Sequence, residues 1–152
     1  MRIKVNNNRK ISSIDPMIYG QFIEHFHRQI YGGVYEPGHP TADEDGFRTD
    51  VIDAMRQIKV PILRWPGGCF VSAYHWKDGV GPKRTPMFDK AWRVPEPNSF
   101  GTDEYVKMCR KIGCEPYSNN RSSLQLEIFN SCSNGSIKSI SGTVACFEHK
   151  GA

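Results

Sequence analysis

Apolar positions along this chain fall into two kinds of run. Three are short and dense: Met17-Ile-Tyr-Gly-Gln-Phe-Ile-Glu-His25, Ile62-Leu-Arg-Trp65 and Glu115-Pro-Tyr117. Brief apolar runs with β-branched and aromatic members, bounded by turn residues, predict buried strands. Between them the spacing becomes helical. Phe47, Val51, Ala54, Met55 and Ile58 form one stripe, with Thr49 as N-cap, Asp50 in the first turn and Pro61 beyond the end. Tyr105, Met108, Cys109 and Ile112 form a second, with Thr102 as cap and Gly113 as C-terminal stop. Strand, helix, strand, helix, strand is the beginning of a right-handed parallel α/β arrangement. Residues 2–5 alternate weakly and predict one more short strand, closed by Asn6-Asn7-Asn8. Residues 30–46 and roughly 66–100 predict long loops, which in compact domains are commonly functional.

The strand ends carry a second message. Glu24 and Arg64 each follow apolar residues and are flanked by aromatics and glycines. Strands of a parallel barrel look like this where their C-terminal ends open into a sugar pocket. The charge supplies hydrogen bonds, the aromatics supply faces for a ring, and the glycines admit close backbone approach. A closed eightfold barrel takes about 250 residues, and this chain has 152. The expected fold is therefore α/β, the first two to three βα units of a truncated (β/α)8 barrel.

From about Asn119 the character changes. Arg121 to Ala152 holds seven serines and no Pro, Trp or Tyr, whereas all ten prolines and all three tryptophans lie earlier. No clean period runs through this stretch, although Leu124, Leu126, Ile128 and Phe129 could make a short strand. It reads either as a flexible polar tail or as a segment translated out of frame.

Composition is that of an ordinary soluble protein, 38% hydrophobic and 24% charged. The net charge of +4 is spread along the chain without a basic block, so neither nucleic acid nor membrane is an expected partner. The N-terminus has no apolar run fit for a signal peptide, and no stretch approaches the roughly 18 residues that span a bilayer. A cytoplasmic location is the expectation. Five cysteines, Cys69, Cys109, Cys114, Cys132 and Cys146, include no Cys-x-x-Cys pair and read as free thiols. His25 and His27, two apart on an expected strand, make a weak metal pair. No cofactor and no metal are expected.

Eight blocks in order carry a resemblance. They include Gly20-Gln-Phe-Ile-Glu-His25, Ile30-Tyr-Gly-Gly-Val-Tyr-Glu36, Leu63-Arg-x-Pro-Gly-Gly68, Tyr74-x-Trp-x-Asp-Gly-x-Gly-Pro82, Glu96-x-Asn98 and Phe100-Gly-Thr-Asp-Glu104. Residues 17–117 resemble the N-terminal part of the α-L-arabinofuranosidases of glycoside hydrolase family 51. The resemblance implies a barrel joined to a β-sandwich. Residues 1–16 would give the sandwich its N-terminal strand, 17–117 a partial catalytic barrel, and 118–152 a tail that does not match. It implies retaining hydrolysis of terminal α-L-arabinofuranosyl groups of arabinan and arabinoxylan, and homo-oligomeric full-length proteins.

That chemistry needs two carboxyl groups about 5–5.5 Å apart. The family supplies them from later strands, so no catalytic residue is expected here. Glu36, Glu96 and Glu104 match family positions outside the catalytic pair. By resemblance, Glu24 accepts bonds from arabinose hydroxyls and Arg64 orients carboxylates and contacts substrate in the same pocket. Cys69 stands where many members have Asn and is a poorer hydrogen-bonding group. The resemblance also implies that Trp92 lines the leaving-group side. The plainer readings are a solvated strand-end carboxylate for Glu24 and an ordinary ion pair for Arg64. Two other functions compete with a hydrolase lineage: a non-catalytic sugar-binding or interaction remnant, and a metal or redox protein built on the cysteines.

Overall fold

The computed structural model describes residues 2–119, 137–140 and 143–146, with side chains up to Ser118. Its main sheet has five strands. β1 (Gln21–Phe22), β2 (Ile62–Pro66) and β5 (Glu115–Asn119) are parallel neighbours, and β7 (Thr143–Cys146) and β6 (Ile137–Ile140) continue the sheet antiparallel, in the order β1-β2-β5-β7-β6. A separate hairpin joins β3 (Met87–Asp89) to β4 (Val94–Glu96).

Two helices cover one face. α1 spans Thr49–Gln57 and α2 spans Thr102–Ile112. Along β2 burial alternates: Leu63 and Trp65 are wholly buried on the helix side, while Ile62 and Arg64 are half-buried on the other. Tyr105, Met108, Cys109 and Ile112 pack against that core as the stripe requires. Gly113 ends α2 in the left-handed conformation (φ 86°), and its N–H donates to Cys109 O at 2.8 Å. The buried Tyr105 hydroxyl stitches strands beneath the helix: it donates to Leu63 O (2.5 Å) and accepts from the Tyr117 N–H (2.6 Å).

Several expected elements come out differently. Residues 2–5 form no strand; residues 2–14 are exposed, and no strand of the described residues pairs with them. An isolated extended segment has no ladder to stabilise it. Pro16–Tyr19 is a 3-10 turn, capped by Asp15, whose carboxylate accepts from the Met17 N–H at 2.9 Å. Only Gln21–Phe22 forms regular β1, though the Ile23 and His25 N–H groups extend the pairing to Arg64 O and Pro66 O, each at 2.9 Å.

The helix caps shift by one residue. Arg48 caps α1 and Gly101 caps α2, so Thr49 and Thr102 are the first helical residues. The Thr49 hydroxyl donates back to Thr41 O (2.7 Å). The Glu104 carboxylate instead accepts the Gly101 N–H at 2.8 Å. The buried face of α1 is also rotated from the expected stripe. Ile52 is its buried residue, flanked by Val51 and Met55, while Ala54 and Ile58 are exposed.

The segment 66–100 is not structureless. It contains 3-10 turns at Phe70–Ser72 and Trp76–Gly79 and the β3–β4 hairpin. Arg84 ties it to α2 through a fork onto Glu104 (2.7 and 3.1 Å). The loop 30–46 is held likewise: Lys111 reaches Asp43 and Asp45, both at 2.8 Å, and Lys107 reaches Asp45 at 2.7 Å. Within the tail, β6 and β7 form a hairpin that covers the edge of β5. The suggested strand around Leu124–Phe129 lies outside the described residues.

Candidate functional site

Parallel pairing sets the site. Phe22, Arg64 and Tyr117 occupy one row across β1, β2 and β5, and partners in register project to the same face. That face is the one the helices leave uncovered. The Arg64 guanidinium lies 5.9 Å from the centre of the Phe22 ring.

Immediately after β2 the chain turns through Gly67 and Gly68, both in the left-handed region (φ 56° and 64°). The turn gives two charged side chains their room. A Cβ on Gly67 would collide with the Arg64 guanidinium, and one on Gly68 would stand 2.5 Å from Glu24 Oε2. Glu24 and Arg64, 40 residues apart in sequence, therefore lie against neighbouring glycines of one turn. The Glu24 N–H is in turn fixed by Gln29 Oε1 at 2.9 Å. Cys69 follows the turn directly as an exposed free thiol.

Trp92 arrives from another element. Asp89 holds the tip of the β3–β4 hairpin by accepting from the Ala91 and Trp92 N–H groups (2.8 and 3.2 Å), and Arg93 completes the turn at φ 55°. The exposed Trp92 indole rests against Phe26, with ring centres 5.3 Å apart. Phe26 is two residues beyond Glu24, so the aromatic pair stands at the rim of the same strand end. Phe26 was not among the residues singled out from sequence. A phenylalanine after a strand reads as packing until its partner is seen.

A buried polar knot lies behind the rim. His25 and Glu96 are 1% and 2% exposed, and their Nε2 and Oε2 atoms are 2.9 Å apart. The Tyr31 hydroxyl donates to Glu96 Oε1, which also accepts the Asn98 N–H at 2.8 Å. Burial alone would raise the Glu96 carboxyl, but the bonds from His25, Tyr31 and Asn98 outweigh it and hold the group below the usual carboxylate range. Burial and the neighbouring carboxylate push the Tyr31 phenol well up. An ionised carboxylate only accepts, so His25 Nε2 carries the proton and donates. The His25 ring stacks on Phe70 at 4.1 Å.

This arrangement removes the His25–His27 metal pair. His25 is committed to Glu96, and His27 sits in a 3-10 turn rather than one strand position further along. Among the described residues no three His, Cys, Asp or Glu side chains cluster as a metal site would require. Cys109 and Cys114 lie in the core at the end of α2. Burial drives the Cys109 thiol far up, while its hydrogen bond to Cys114 lowers the latter.

The fold and site thus define an α/β protein with a mixed sheet, whose parallel strands end in a carboxylate and a guanidinium beside an aromatic pair. Residues 54–148 match the family model described as the alpha-L-arabinofuranosidase 1 domain. The chain is 51% identical over 117 residues to alpha-L-arabinofuranosidase C of Emericella nidulans, covering 76% of this chain and 23% of that protein. It is 52% identical over 113 residues to the intracellular exo-alpha-(1->5)-L-arabinofuranosidase of Halalkalibacterium halodurans, covering 73% and 23%. Among solved structures, the arabinose complex of the Thermotoga maritima alpha-L-arabinofuranosidase superposes with a TM-score of 0.68 at 53% identity, over 73% of this chain and 24% of that one. A family 51 alpha-L-arabinofuranosidase from Bifidobacterium longum gives 0.75 at 39% identity, over 83% and 26%.

The chain belongs to the glycoside hydrolase family 51 alpha-L-arabinofuranosidases. It spans about a quarter of the length of the relatives it matches.

Proposed function

We propose that this chain forms the sugar-recognition wall of an arabinofuranosidase, the part that receives a terminal α-L-arabinofuranosyl group of arabinan or arabinoxylan. The observation that supports this best is the placement of Glu24 and Arg64 against neighbouring glycines of the Gly67–Gly68 turn, at the ends of adjacent parallel strands. A carboxylate and a guanidinium side by side bind vicinal hydroxyls through charge-assisted bonds. Glu24 accepts from the sugar, Arg64 donates, and the exposed Cys69 lines the next position. Trp92 with Phe26 offers an apolar face to the leaving group.

Hydrolysis with retention proceeds by double displacement through a covalent arabinosyl intermediate, which requires a nucleophile and an acid/base carboxyl about 5–5.5 Å apart. Neither Glu24 nor Glu96 is placed for this. Glu96 is buried and bonded by His25, Tyr31 and Asn98, and Glu24 lies against the Gly68 turn. On this reading the described residues bind the sugar without turning it over. They need no cofactor. No helix of the described residues is long and apolar enough to cross a membrane. The bacterial relative's designation as intracellular supports a cytoplasmic site of action.

Titration of the purified chain with 4-nitrophenyl α-L-arabinofuranoside tests the reading. Saturable binding that Glu24→Gln and Arg64→Ala each abolish, with no release of nitrophenol, is the expected result. Absence of binding would overturn the recognition role, and release of nitrophenol would overturn the assignment of no catalytic residue.

A further inference from the structure

The β3–β4 hairpin poses a physical problem. It has three cross-strand pairs, Met87–Glu96, Phe88–Pro95 and Asp89–Val94, and among the described residues belongs to no larger sheet. A ribbon of that size is marginal on its own in water. Phe88 on it is exposed, and so is Trp92 at its tip. Its position must be set from outside, and β4 ends in the wholly buried Glu96.

Contacts through Glu96 close a ring. Trp92 leads along β4 to Glu96, Glu96 bonds His25, His25 precedes Phe26, and Phe26 packs on Trp92. His25 also sits directly after Glu24, and the Phe26 N–H donates to Glu24 O at 3.0 Å. One buried carboxylate thus joins the hairpin to the strand end that carries both the charged site and half of the aromatic rim. Tyr31 and the Asn98 N–H hold that carboxylate from the other side, and the Asn98 amide anchors the hairpin's approach by donating to Thr85 O at 2.7 Å.

We propose that Glu96 is a positioning residue, whose buried bonds to His25 and Tyr31 hold the Trp92–Phe26 platform in register with Glu24 and so set affinity for the leaving-group side of the ligand. The ligand half of this statement rests on the sugar-recognition reading above; the geometric half does not.

The full chain labelled with 5-fluorotryptophan tests both halves. Its three tryptophans give three fluorine resonances, and Trp92→Phe identifies the one of interest. In Glu96→Gln and in Tyr31→Phe the Trp92 resonance moves toward that of the free amino acid, while that of core Trp65 stays in place. In the same variants affinity for the 4-nitrophenyl arabinofuranoside falls by about threefold to tenfold, the worth of one aromatic contact, while affinity for the methyl arabinofuranoside is kept. An unmoved Trp92 resonance in both variants overturns the proposal. Joint movement of Trp65 and Trp92, or loss of folding in both, also overturns it, because Glu96 would then be a structural residue only. If the parent chain binds neither glycoside, the sugar reading fails and the Trp92 resonance alone decides the positioning role.

Discussion

The Glu24 carboxylate occupies the volume that a side chain on Gly68 would claim, with 2.5 Å between Oε2 and the site of the missing Cβ. Gly68 also holds φ 64°. Gly68→Ala should therefore act twice. The left-handed backbone costs roughly 1–2 kcal/mol for a residue with a Cβ, and the methyl displaces Glu24. Melting temperature should fall modestly and arabinofuranoside affinity steeply. Calorimetry beside a ligand titration separates the two, and unchanged affinity would show that Glu24 does not contact the sugar.

Tyr105 gives a purely structural prediction. Its buried hydroxyl donates to Leu63 O and accepts the Tyr117 N–H. Tyr105→Phe strands both backbone groups where water does not replace the bond, a loss of about 1–3 kcal/mol. A drop in melting temperature of several degrees is expected, with the loss visible as faster amide exchange at Tyr117.

Helix α1 offers an internal control. Ile52 is buried and Ile58 is 66% exposed. Ile52→Ala should destabilise by about 2–5 kcal/mol, whereas Ile58→Ala should stay within roughly 0.5 kcal/mol. Equal effects in chemical denaturation would place the buried face of α1 elsewhere.

Acid should unfold the protein through identified carboxylates. Burial would raise Asp43, but Lys111 and the Phe47 N–H hold it below its ordinary value of 3.8; Glu96 lies below 4.5 for the reasons already given. A carboxyl lowered in the folded state contributes fully above its unfolded value and loses that contribution as pH falls through the folded one. Melting temperature should be flat in these groups above about pH 5 and fall below 4.5. Glu96 is faced by His25 and Tyr31, and Glu96→Gln should flatten part of the acid limb. An identical limb in the variant would remove Glu96 from the transition.

Much of the architecture was legible in the order of residues because it is written locally. The stripe of α2 recurs over about two turns, and its residues from Tyr105 to Ile112 are the ones buried. Gly113 marked its end, and the run Ile62–Trp65 marked β2. α1 is only nine residues long, and two neighbouring stripes fit its spacing. The packing of Ile52 against the core selected between them. The caps moved by one position because Thr49 found Thr41 O and Glu104 found the Gly101 N–H, partners that local patterns do not specify. The β3–β4 hairpin and the strands of 137–146 are three and four residues long, too short for a period to stand out.

By itself the sequence determined an α/β order of strands and helices, since strand runs, helical stripes and glycine turns are set by neighbours a few residues apart, and its motif blocks carried the resemblance to the arabinofuranosidases. Tertiary structure alone decided that Glu24 and Arg64 share one turn, that Phe26 underlies Trp92, and that Glu96 is buried against His25. Each of those contacts joins residues 40 to 71 positions apart. Which distant groups meet depends on strand register and on what the core can bury, and neither is encoded in any single segment.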